Sequence, residues 1–447
     1  MQELLRDVAE RAITYLDGLG DRPVRPDQTV DLRLLGGALP DDPTDPELVI
    51  NLLDQVAAPA TMAMAGPRFF GWVVGGSHPV ALAADWMTSA WDQNTMFAEA
   101  TPATVELEAT ALRWVIEAVG LPQGSWGAFV TGTTVANMAA LASATNSVLA
   151  DVGWDLVNDG LFGAPLVTVV VGDEAHPSLV KALGVVGLGR SRVLQVPVDD
   201  QGRMRPDRMP AIEPPAIVCV QAGNVNSGSF DPMAELIPAA HERGAWVHVD
   251  GAFGFWAAAS SALAHLTVGM DLADSWATDA HKYLNVPYDA GIVLVRNPST
   301  LERVMSVSAA YLPEGEIGRD PLLYTPEMSR RARGTPTWAV LKTLGRSGLA
   351  DLVERTHRLA LQFAEALTAA GVEILNDVVL NQVLVGLGDP TITRRTVQTL
   401  QEEGTIFVGP TVWQGKPAMR ISVSSWRTTE SDVDHSVEAI LRAMDKG

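Results

Sequence analysis

The stretch "WATDAHKYLNVPYDAG" (residues 276–291) places a lysine just beyond one apolar run and just before another, "GIVLV" (291–295). Lys282 follows Asp279 and His281 within a single short turn. Two interpretations fit a lysine in this position. It is either part of an ordinary loop at the edge of a sheet, or an amine that acts as a nucleophile.

The wider pattern predicts the fold around this turn. Short runs rich in Val, Ile and Leu alternate with helical patterns, at 127–130, 166–171, 192–198, 216–222, 245–249, 274–278 and 290–295. Continuous apolar strands separated by helices indicate a mostly parallel sheet between two layers of helices. The strand at 290–295 follows the strand at 274–278 so closely that we expect an antiparallel pair. The prediction is an α/β fold with a seven-stranded, mostly parallel sheet.

The two ends of the chain show different patterns. Residues 1–20 place apolar side chains at helical spacing, and the Pro- and Asp-rich stretch 21–50 predicts an extended connector. Beyond residue 300, a loop rich in Pro and Gly precedes a helix, 349–371, and a final helix whose N-cap is Thr429 or Ser431. Four strands are predicted in this part of the chain, at 372–376, 381–387, 405–409 and 418–424.

These patterns divide the chain into three segments. We expect an N-terminal arm (1–60), a large α/β domain (61–300), and a loop followed by a small α+β domain (301–447).

Composition narrows the class of protein. The net charge of −21 argues against a nucleic-acid partner, because such binding depends on clustered Lys and Arg. The chain has no apolar run long enough to span a membrane and no signal-peptide core, so we expect a cytoplasmic protein without a membrane partner. Cys219 is the single cysteine, and it lies in a predicted strand, where we expect a buried core residue rather than a metal ligand.

Polar residues that follow the predicted strands are the candidate site. Ligands of parallel sheets collect at the carboxyl ends of the strands. Thr133 and Thr134 open a helix after "GAFV", where they suit either a phosphate or plain helix capping. His176 follows another strand, as a stacking ring or as an ordinary packed histidine. Asp250 ends a buried strand and has no basic neighbour in sequence, so its cation is expected to be a ligand.

Together these residues offer a phosphate site, a ring to stack on, a carboxylate for a ring nitrogen and an amine for an aldehyde. These are the four groups that bind pyridoxal 5′-phosphate (PLP). The sequence therefore predicts PLP as the cofactor and Lys282 as the lysine that forms a Schiff base with it.

Seven motifs carry a family resemblance along nearly the whole chain: "PRFFGWVVGG", "TPATVELE", "DEAHPSLVKA", "HVDGAFG", "DAHKYLNVPYDAG", "SRRARGTPTWAVLKTLGR" and "RISVSSWRTTESDVD". Their order resembles that in the group II PLP-dependent amino-acid decarboxylases, which include aromatic-L-amino-acid and glutamate decarboxylases. The most specific pair is "HVD" followed about thirty residues later by "HK".

The resemblance implies a role for each matching residue. Lys282 forms the Schiff base, Asp250 pairs with the pyridine nitrogen, Ala252 and His176 cover the two ring faces, and Thr133 and Thr134 hold the phosphate with His281 and Asp279 close by. It also implies a fold-type-I homodimer whose N-terminal arm wraps around the partner and whose active site lies at the interface. Trp72 and Val73 would line the substrate pocket.

Three positions depart from the family pattern and leave the substrate open: Val135 instead of a common glutamate, Gly251 instead of alanine, and Asn224 instead of a common threonine. Arg420 matches an arginine that binds a carboxylate in aminotransferases of this fold. In decarboxylases the corresponding residue is usually structural, and we favour that role here.

The expected reaction is decarboxylation of an L-amino acid to an amine and carbon dioxide. A carbon–carbon lyase or aldolase, an aminotransferase-like enzyme and a binding module without turnover are the alternatives. In family members a tyrosine on a mobile loop shortly before "SRR" donates a proton to the product carbon. The corresponding position here falls near Asp320 and Pro321, so the nearest candidate is Tyr324, which could equally be a packing residue of the loop.

Overall fold

The computed structural model describes residues 1–307 and 320–446. The helices of this described part are α1 (Gln2–Asp17), α2 (Pro46–Leu52), α3 (Pro79–Trp91), α4 (Pro102–Ala118), α5 (Thr133–Ala150), α6 (Leu156–Asp159), α7 (Pro177–Val185), α8 (Met233–His241), α9 (Pro298–Met305), α10 (Gly334–Ala369), α11 (Pro390–Glu403) and α12 (Glu430–Asp445).

The strands are β1 (Trp126–Val130), β2 (Thr168–Gly172), β3 (Leu194–Val196), β4 (Ala216–Gln221), β5 (Ala245–Asp250), β6 (Ser275–Asp279), β7 (Gly291–Val295), β8 (Glu373–Ile374), β9 (Gln382–Gly386), β10 (Gly409–Trp413) and β11 (Lys416–Ser422). The first seven form the predicted large sheet, in the order β1-β7-β6-β5-β4-β2-β3.

The direction of each strand follows the prediction. Strands β3, β2, β4, β5 and β6 run parallel, and β7 lies antiparallel between β6 and β1. The central strands are buried on both faces, which explains their continuous Val and Ile runs. Cys219 is buried in β4, so the expectation of a core cysteine is confirmed.

The C-terminal part forms an antiparallel sheet in the order β10-β11-β9-β8, packed against α10, α11 and α12. The helix expected at 349–371 is the second part of α10, which is interrupted by Gly345 at φ 60°. Thr429, rather than Ser431, caps α12, and it forms a capping box with Asp432.

The strand predicted at 405–409 is wrong, because the strand begins only at Gly409. The backbone of Phe407 instead pairs with residues 68–70, accepting a hydrogen bond from Phe70 N at 2.8 Å and donating one to Arg68 O at 3.1 Å. The Phe407 ring stacks on Phe69 with 4.9 Å between centroids. Burial of these two rings in one cluster therefore draws the segment away from the C-terminal sheet.

The N-terminal segment begins with the predicted helix, α1, none of whose residues is buried. The connector is not fully extended as predicted, since Leu32–Leu35 form a 3₁₀ turn and Pro46 opens α2. Asp45 caps that helix by accepting a hydrogen bond from Glu47 N, a capping role that its sequence position allows. Among the described residues, no helix is long and apolar enough to cross a membrane.

Candidate active site

Four strand ends bring the predicted residues to one edge of the large sheet. Thr133 and Thr134 open α5 just after β1, and His176 caps α7 after β2. Asp250 is the last residue of β5, and Asp279 is the last residue of β6. Lys282 follows three residues later.

Lys282 and Asp279 form an ion pair, with 3.0 Å between Nζ and Oδ2. The other oxygen of Asp279 accepts a hydrogen bond of 2.7 Å from the backbone N–H of Thr133. Burial raises the pKa of the Asp279 carboxyl, but Lys282 and His281 together bring it below its ordinary value. Asp279 is therefore an anion that links the lysine to the first turn of α5.

Asp250 lies at the end of a buried hydrogen-bonded chain. Its Oδ2 accepts a bond of 3.1 Å from the Asn137 amide, whose oxygen lies 2.9 Å from Nε2 of His248. The other ring nitrogen of His248 lies 2.9 Å from the Ser275 hydroxyl. Burial lowers the pKa of His248 to about 3, so its imidazole is neutral at pH 7. The Asp250 carboxylate is therefore held by a chain of neutral groups, the Asn137 amide, the His248 imidazole and the Ser275 hydroxyl.

The Asp250 carboxylate itself forms no ion pair with any residue that the structure describes. Its other hydrogen-bond partner in the described chain is the backbone N–H of Ala252, which donates to Oδ1 at 3.3 Å. Burial raises the pKa of this carboxyl, while His176 and Asn137 oppose the shift. A buried carboxylate without a cation is costly, so this position suits a cationic group of a ligand.

His176 is held as a neutral ring with a defined tautomer. The backbone N–H of Ser178 donates to Nδ1 at 3.2 Å, and the Ser178 hydroxyl lies 2.7 Å from the same nitrogen. Burial lowers the pKa of His176. Because Nδ1 accepts a hydrogen bond, the ring proton resides on Nε2.

The turn between β1 and α5 carries a hydroxyl donor suited to a phosphate. Thr133 is 4% exposed, yet its hydroxyl has no hydrogen-bond partner in the described chain. A Cβ at Gly291 would overlap the backbone of Gly132, so the start of β7 packs directly against this turn. A buried hydroxyl without a partner at a helix N-terminus fits the phosphate of PLP.

His281 lies beside this turn and contacts an aromatic ring. Its Nδ1 accepts a hydrogen bond of 3.1 Å from Ala290 N, and its Nε2 lies 3.5 Å from Asp279 Oδ1. Tyr288 stacks on the imidazole with 4.3 Å between ring centroids. Burial lowers the pKa of His281, despite the opposing charge of Asp279.

Ala252 lies between the two site carboxylates. Its N–H contacts Asp250, and its carbonyl accepts a hydrogen bond of 3.0 Å from Asp279 N. The neighbouring residue, Gly251, replaces an alanine of the family pattern. Packing explains this difference, because a Cβ at position 251 would lie 2.9 Å from Cβ of Phe255. A glycine at position 251 therefore accommodates Phe255.

The predicted pocket residues Trp72 and Val73 lie on a segment that contacts the lysine turn. Both have positive φ, 53° and 70°, which is rare for bulky side chains. Trp72 is 53% exposed, whereas Val73 is buried. A Cβ at Gly75 would overlap the carbonyl oxygen of Lys282, so this segment lies directly on the turn.

Arg420 is a buried guanidinium with a single hydrogen bond in the described chain, from Nη1 to Val225 O at 3.1 Å. Burial lowers its pKa to about 10. Asn224 accepts hydrogen bonds from the backbone N–H groups of Asn226 and Ser227, so its side-chain oxygen serves to hold the loop.

Tyr324 is placed by the structure in the main hydrophobic core, where it is 5% exposed. It follows the 3₁₀ turn Pro321–Leu323. Most of the loop before it, 308–319, lies outside the described residues. Its role as a proton donor stays a prediction.

Several polar residues of the site were missed from the sequence: Asn137, His248, Ser275 and Tyr288. The spacing of residues along strands and helices could have indicated two of them. His248 lies two residues before Asp250, on the same face of β5, and Asn137 lies one helical turn after Thr133. The contact of Tyr288 with His281 depends on the path of a loop, for which the sequence has no periodic signal.

Comparison with known proteins identifies the family. The model of the pyridoxal-dependent decarboxylase conserved domain matches residues 27–386. An aromatic-L-amino-acid decarboxylase of Bacillus atrophaeus is 24% identical, over 97% of this chain and 93% of its own length. An aspartate 1-decarboxylase of Aliivibrio fischeri is 29% identical, over 73% of this chain and 65% of its own length.

The fold agrees with this assignment. Oryza sativa TDC, crystallised with PLP and tryptamine, superposes with a TM-score of 0.91 at 22% identity, over 100% of this chain and 97% of the other. The expected fold and the resemblance to group II decarboxylases are therefore confirmed. The chain belongs to the pyridoxal-dependent decarboxylase family and is a carboxy-lyase whose cofactor is PLP.

Proposed function

We propose that the protein decarboxylates an L-amino acid to the amine and carbon dioxide, with Lys282 as the residue that bonds covalently to the cofactor. The observation that supports this proposal most is that a buried carboxylate and a lysine lie at the ends of adjacent strands. Asp250, a buried carboxylate without an ion pair in the described chain, ends β5, and Lys282 follows the neighbouring strand β6.

When bound, PLP supplies an aldehyde for the amines of lysine and substrate, and a ring that accepts the electron pair released at Cα. Asp250 favours the protonated form of the ring nitrogen, because an adjacent anion stabilises a cation. The Asn137 amide holds the Asp250 carboxylate in place through a 3.1 Å hydrogen bond.

Thr133, Thr134 and His281 are proposed to bind the phosphate. The hydroxyl of Thr133 has no partner in the described chain, and both threonines begin α5, whose N-terminus favours an anion. Asp279 already bonds the backbone N–H of Thr133. We therefore assign Asp279 to organising the turn and Lys282 rather than to binding the phosphate itself.

Lys282 would be displaced from the cofactor and would return in each turnover, and Asp279 would keep the released amine close to the site. The ion pair at 3.0 Å holds the amine close to the end of β6. His176 and Ala252 are proposed to enclose the ring from its two faces and to exclude water from the reacting carbon.

Two residues compete as the source of the proton that replaces carbon dioxide. Tyr324 is our proposed donor, which requires the segment around it to move, because the side chain is 5% exposed in the core. His176 carries its proton on Nε2 and is the second candidate. The two are distinguished by the products of the Tyr324→Phe variant.

The site residues do not identify the side chain of the substrate. Arg420 is buried without an ion pair in the part of the chain described, which also suits a substrate carboxylate. We nevertheless propose the structural role, because Arg420 donates to the carbonyl of Val225 and so joins β11 to the loop after β4.

We further propose a homodimer in which the N-terminal arm contacts the partner. Helix α1 has no buried residue, and its Leu5 and Ile13 are 62% and 50% exposed. Apolar faces of this kind are usually covered in solution. Light scattering of the full chain and of a Leu5→Glu/Ile13→Glu variant tests this; equal masses corresponding to a monomer would contradict it.

The proposed reaction is tested by incubating the PLP-loaded enzyme with each common L-amino acid. Carbon dioxide and the amine are measured together, with Lys282→Ala as the control. Equal amounts of both products from one class of amino acid support decarboxylation. An aldehyde fragment without carbon dioxide would indicate a carbon–carbon lyase, and an oxo acid would indicate transamination.

A further inference from the structure

We infer that Asn285 is a positioning residue that sets the location of the Lys282 amine. It lies three residues after the lysine, its side chain is 0% exposed, and its φ is 52°. Left-handed backbone is uncommon for residues other than glycine, and asparagine is among the few that tolerate it. This inference rests on the proposed covalent role of Lys282.

The first set of contacts holds the lysine turn. The backbone N–H of Asn285 donates to the carbonyl of Lys282 at 3.2 Å, and its side-chain amide donates to the carbonyl of Tyr283 at 2.9 Å. Lys282 lies outside any helix or strand. Hydrogen bonds of this turn, rather than a strand ladder, therefore fix the direction of its side chain.

The second set of contacts joins two other segments to the same residue. Oδ1 of Asn285 accepts hydrogen bonds from Gly76 N at 2.7 Å and Trp426 N at 2.9 Å, and Nδ2 donates to Ser424 O at 3.1 Å. Its backbone carbonyl accepts a bond of 2.7 Å from His78 N. Every polar atom of Asn285 is thus engaged.

These segments are functionally distinct parts of the site. Gly76 follows Trp72 and Val73, the proposed pocket wall, and Trp426 follows β11, which carries Arg420. The Trp426 indole also donates to Ser77 O at 2.9 Å. Asn285 therefore links the lysine, the pocket wall and the C-terminal sheet, so that their relative positions depend on one side chain.

The informative variant is Asn285→Gly, which permits the positive φ but removes the side-chain bonds. Cofactor-free full-length protein is titrated with PLP. Binding is followed by tryptophan fluorescence, and covalent bonding to lysine by the visible absorption band. We expect the PLP dissociation constant to change by less than about threefold, while the band forms about tenfold more slowly and kcat falls similarly at nearly constant KM. A misplacement of about 1 Å is enough for such a loss.

A matched control separates positioning from general stability. Asn381 is also fully buried and bonds Val423 O and Ser424 Oγ, but not the lysine turn. Asn381→Ala should lower the melting temperature and leave the rate of band formation unchanged. Equal rates of band formation in wild type and Asn285→Gly would overturn the inference, as would an equal slowing in Asn381→Ala.

Two further variants make the result interpretable if Asn285→Gly does not fold or if the role of Lys282 is wrong. If Asn285→Gly does not fold, Asn285→Asp retains the oxygen that accepts from Gly76 and Trp426 and loses the donation to Tyr283 and Ser424. We expect the same slowing for Asn285→Asp, and a wild-type rate would contradict the inference. A normal band in Lys282→Ala would refute the proposed role of Lys282 itself, whatever the Asn285 variants show.

Discussion

Asn137 and Asp250 are joined by a hydrogen bond of 3.1 Å from the amide Nδ2 to the carboxylate Oδ2. The amide oxygen of Asn137 is engaged by His248, so the amide cannot turn away without breaking a second bond. The Asp250 carboxylate, which is proposed to keep the ring nitrogen of the cofactor protonated, is therefore held by a buried network of neutral groups. Two hydrogen bonds thus fix the orientation of the Asn137 amide toward Asp250.

Asn137→Ala should reduce kcat by about 10-fold to 100-fold, because a buried hydrogen bond to a charged group is worth about 1.5–3 kcal/mol. Steady-state kinetics and PLP titration measure the effect. Thr145→Ala is the control, since its buried hydroxyl on the same helix donates to the carbonyl of Leu141 and to no other group among the described residues. Wild-type kcat in Asn137→Ala would show that the network does not support Asp250.

Thr133→Val should weaken the binding of PLP without lowering the stability of the cofactor-free protein. Without PLP the melting temperature should stay close to that of wild type, because the Thr133 hydroxyl has no partner in the described chain. With PLP the dissociation constant should rise about tenfold, the loss expected for a hydrogen bond to a charged phosphate. Unchanged PLP affinity would leave the threonine as a simple helix-start residue.

Acid stability should depend on His248. Its pKa in the folded protein is about 3, against an ordinary value of 6.5, so below pH 6.5 the unfolded chain binds a proton that the folded chain does not. This single group therefore removes about 2 kcal/mol of stability between pH 6.5 and pH 5. The wild-type stability should fall more steeply over that range than that of His248→Gln. Chemical denaturation at several pH values measures both, and parallel curves would contradict the assignment.

Tyr324→Phe tests the proposed proton donor. If the hydroxyl supplies the proton, this variant should bind PLP and substrate normally, release carbon dioxide and form much less amine, with aldehyde as the diverted product. Chromatography of the products decides the outcome. A full yield of amine at the wild-type rate would remove Tyr324 from the mechanism and leave His176 or a water as the proton source.

The fold was largely predictable because burial on both faces produces an unmistakable pattern. Each predicted strand of the large sheet lies within a few residues of its observed bounds, including the antiparallel β7. The strand at 405–409 could not be placed correctly, since its apolar residues fit a strand and a packed loop equally. The partner that decides its position, Phe69, is distant in sequence.

The convergence of the candidate residues was predictable where a residue lies at a strand end or just beyond it, since Asp250 ends β5, Asp279 ends β6 and Lys282 follows three residues later. Residues that act through hydrogen bonds between distant segments were not. Asn285 bonds Gly76 and Trp426, which are far from it in sequence and carry no chemical signature of their own. Its role follows from the path of three loops, which no local pattern specifies.

The most direct test of the account is Lys282→Ala. We expect the purified variant to retain PLP through its phosphate and ring contacts, to lack the visible band of the lysine-bound cofactor, and to release no carbon dioxide or amine from any substrate of the wild type. Absorbance and product analysis on the same sample measure all three. A normal band with continued turnover in Lys282→Ala would contradict the central claim.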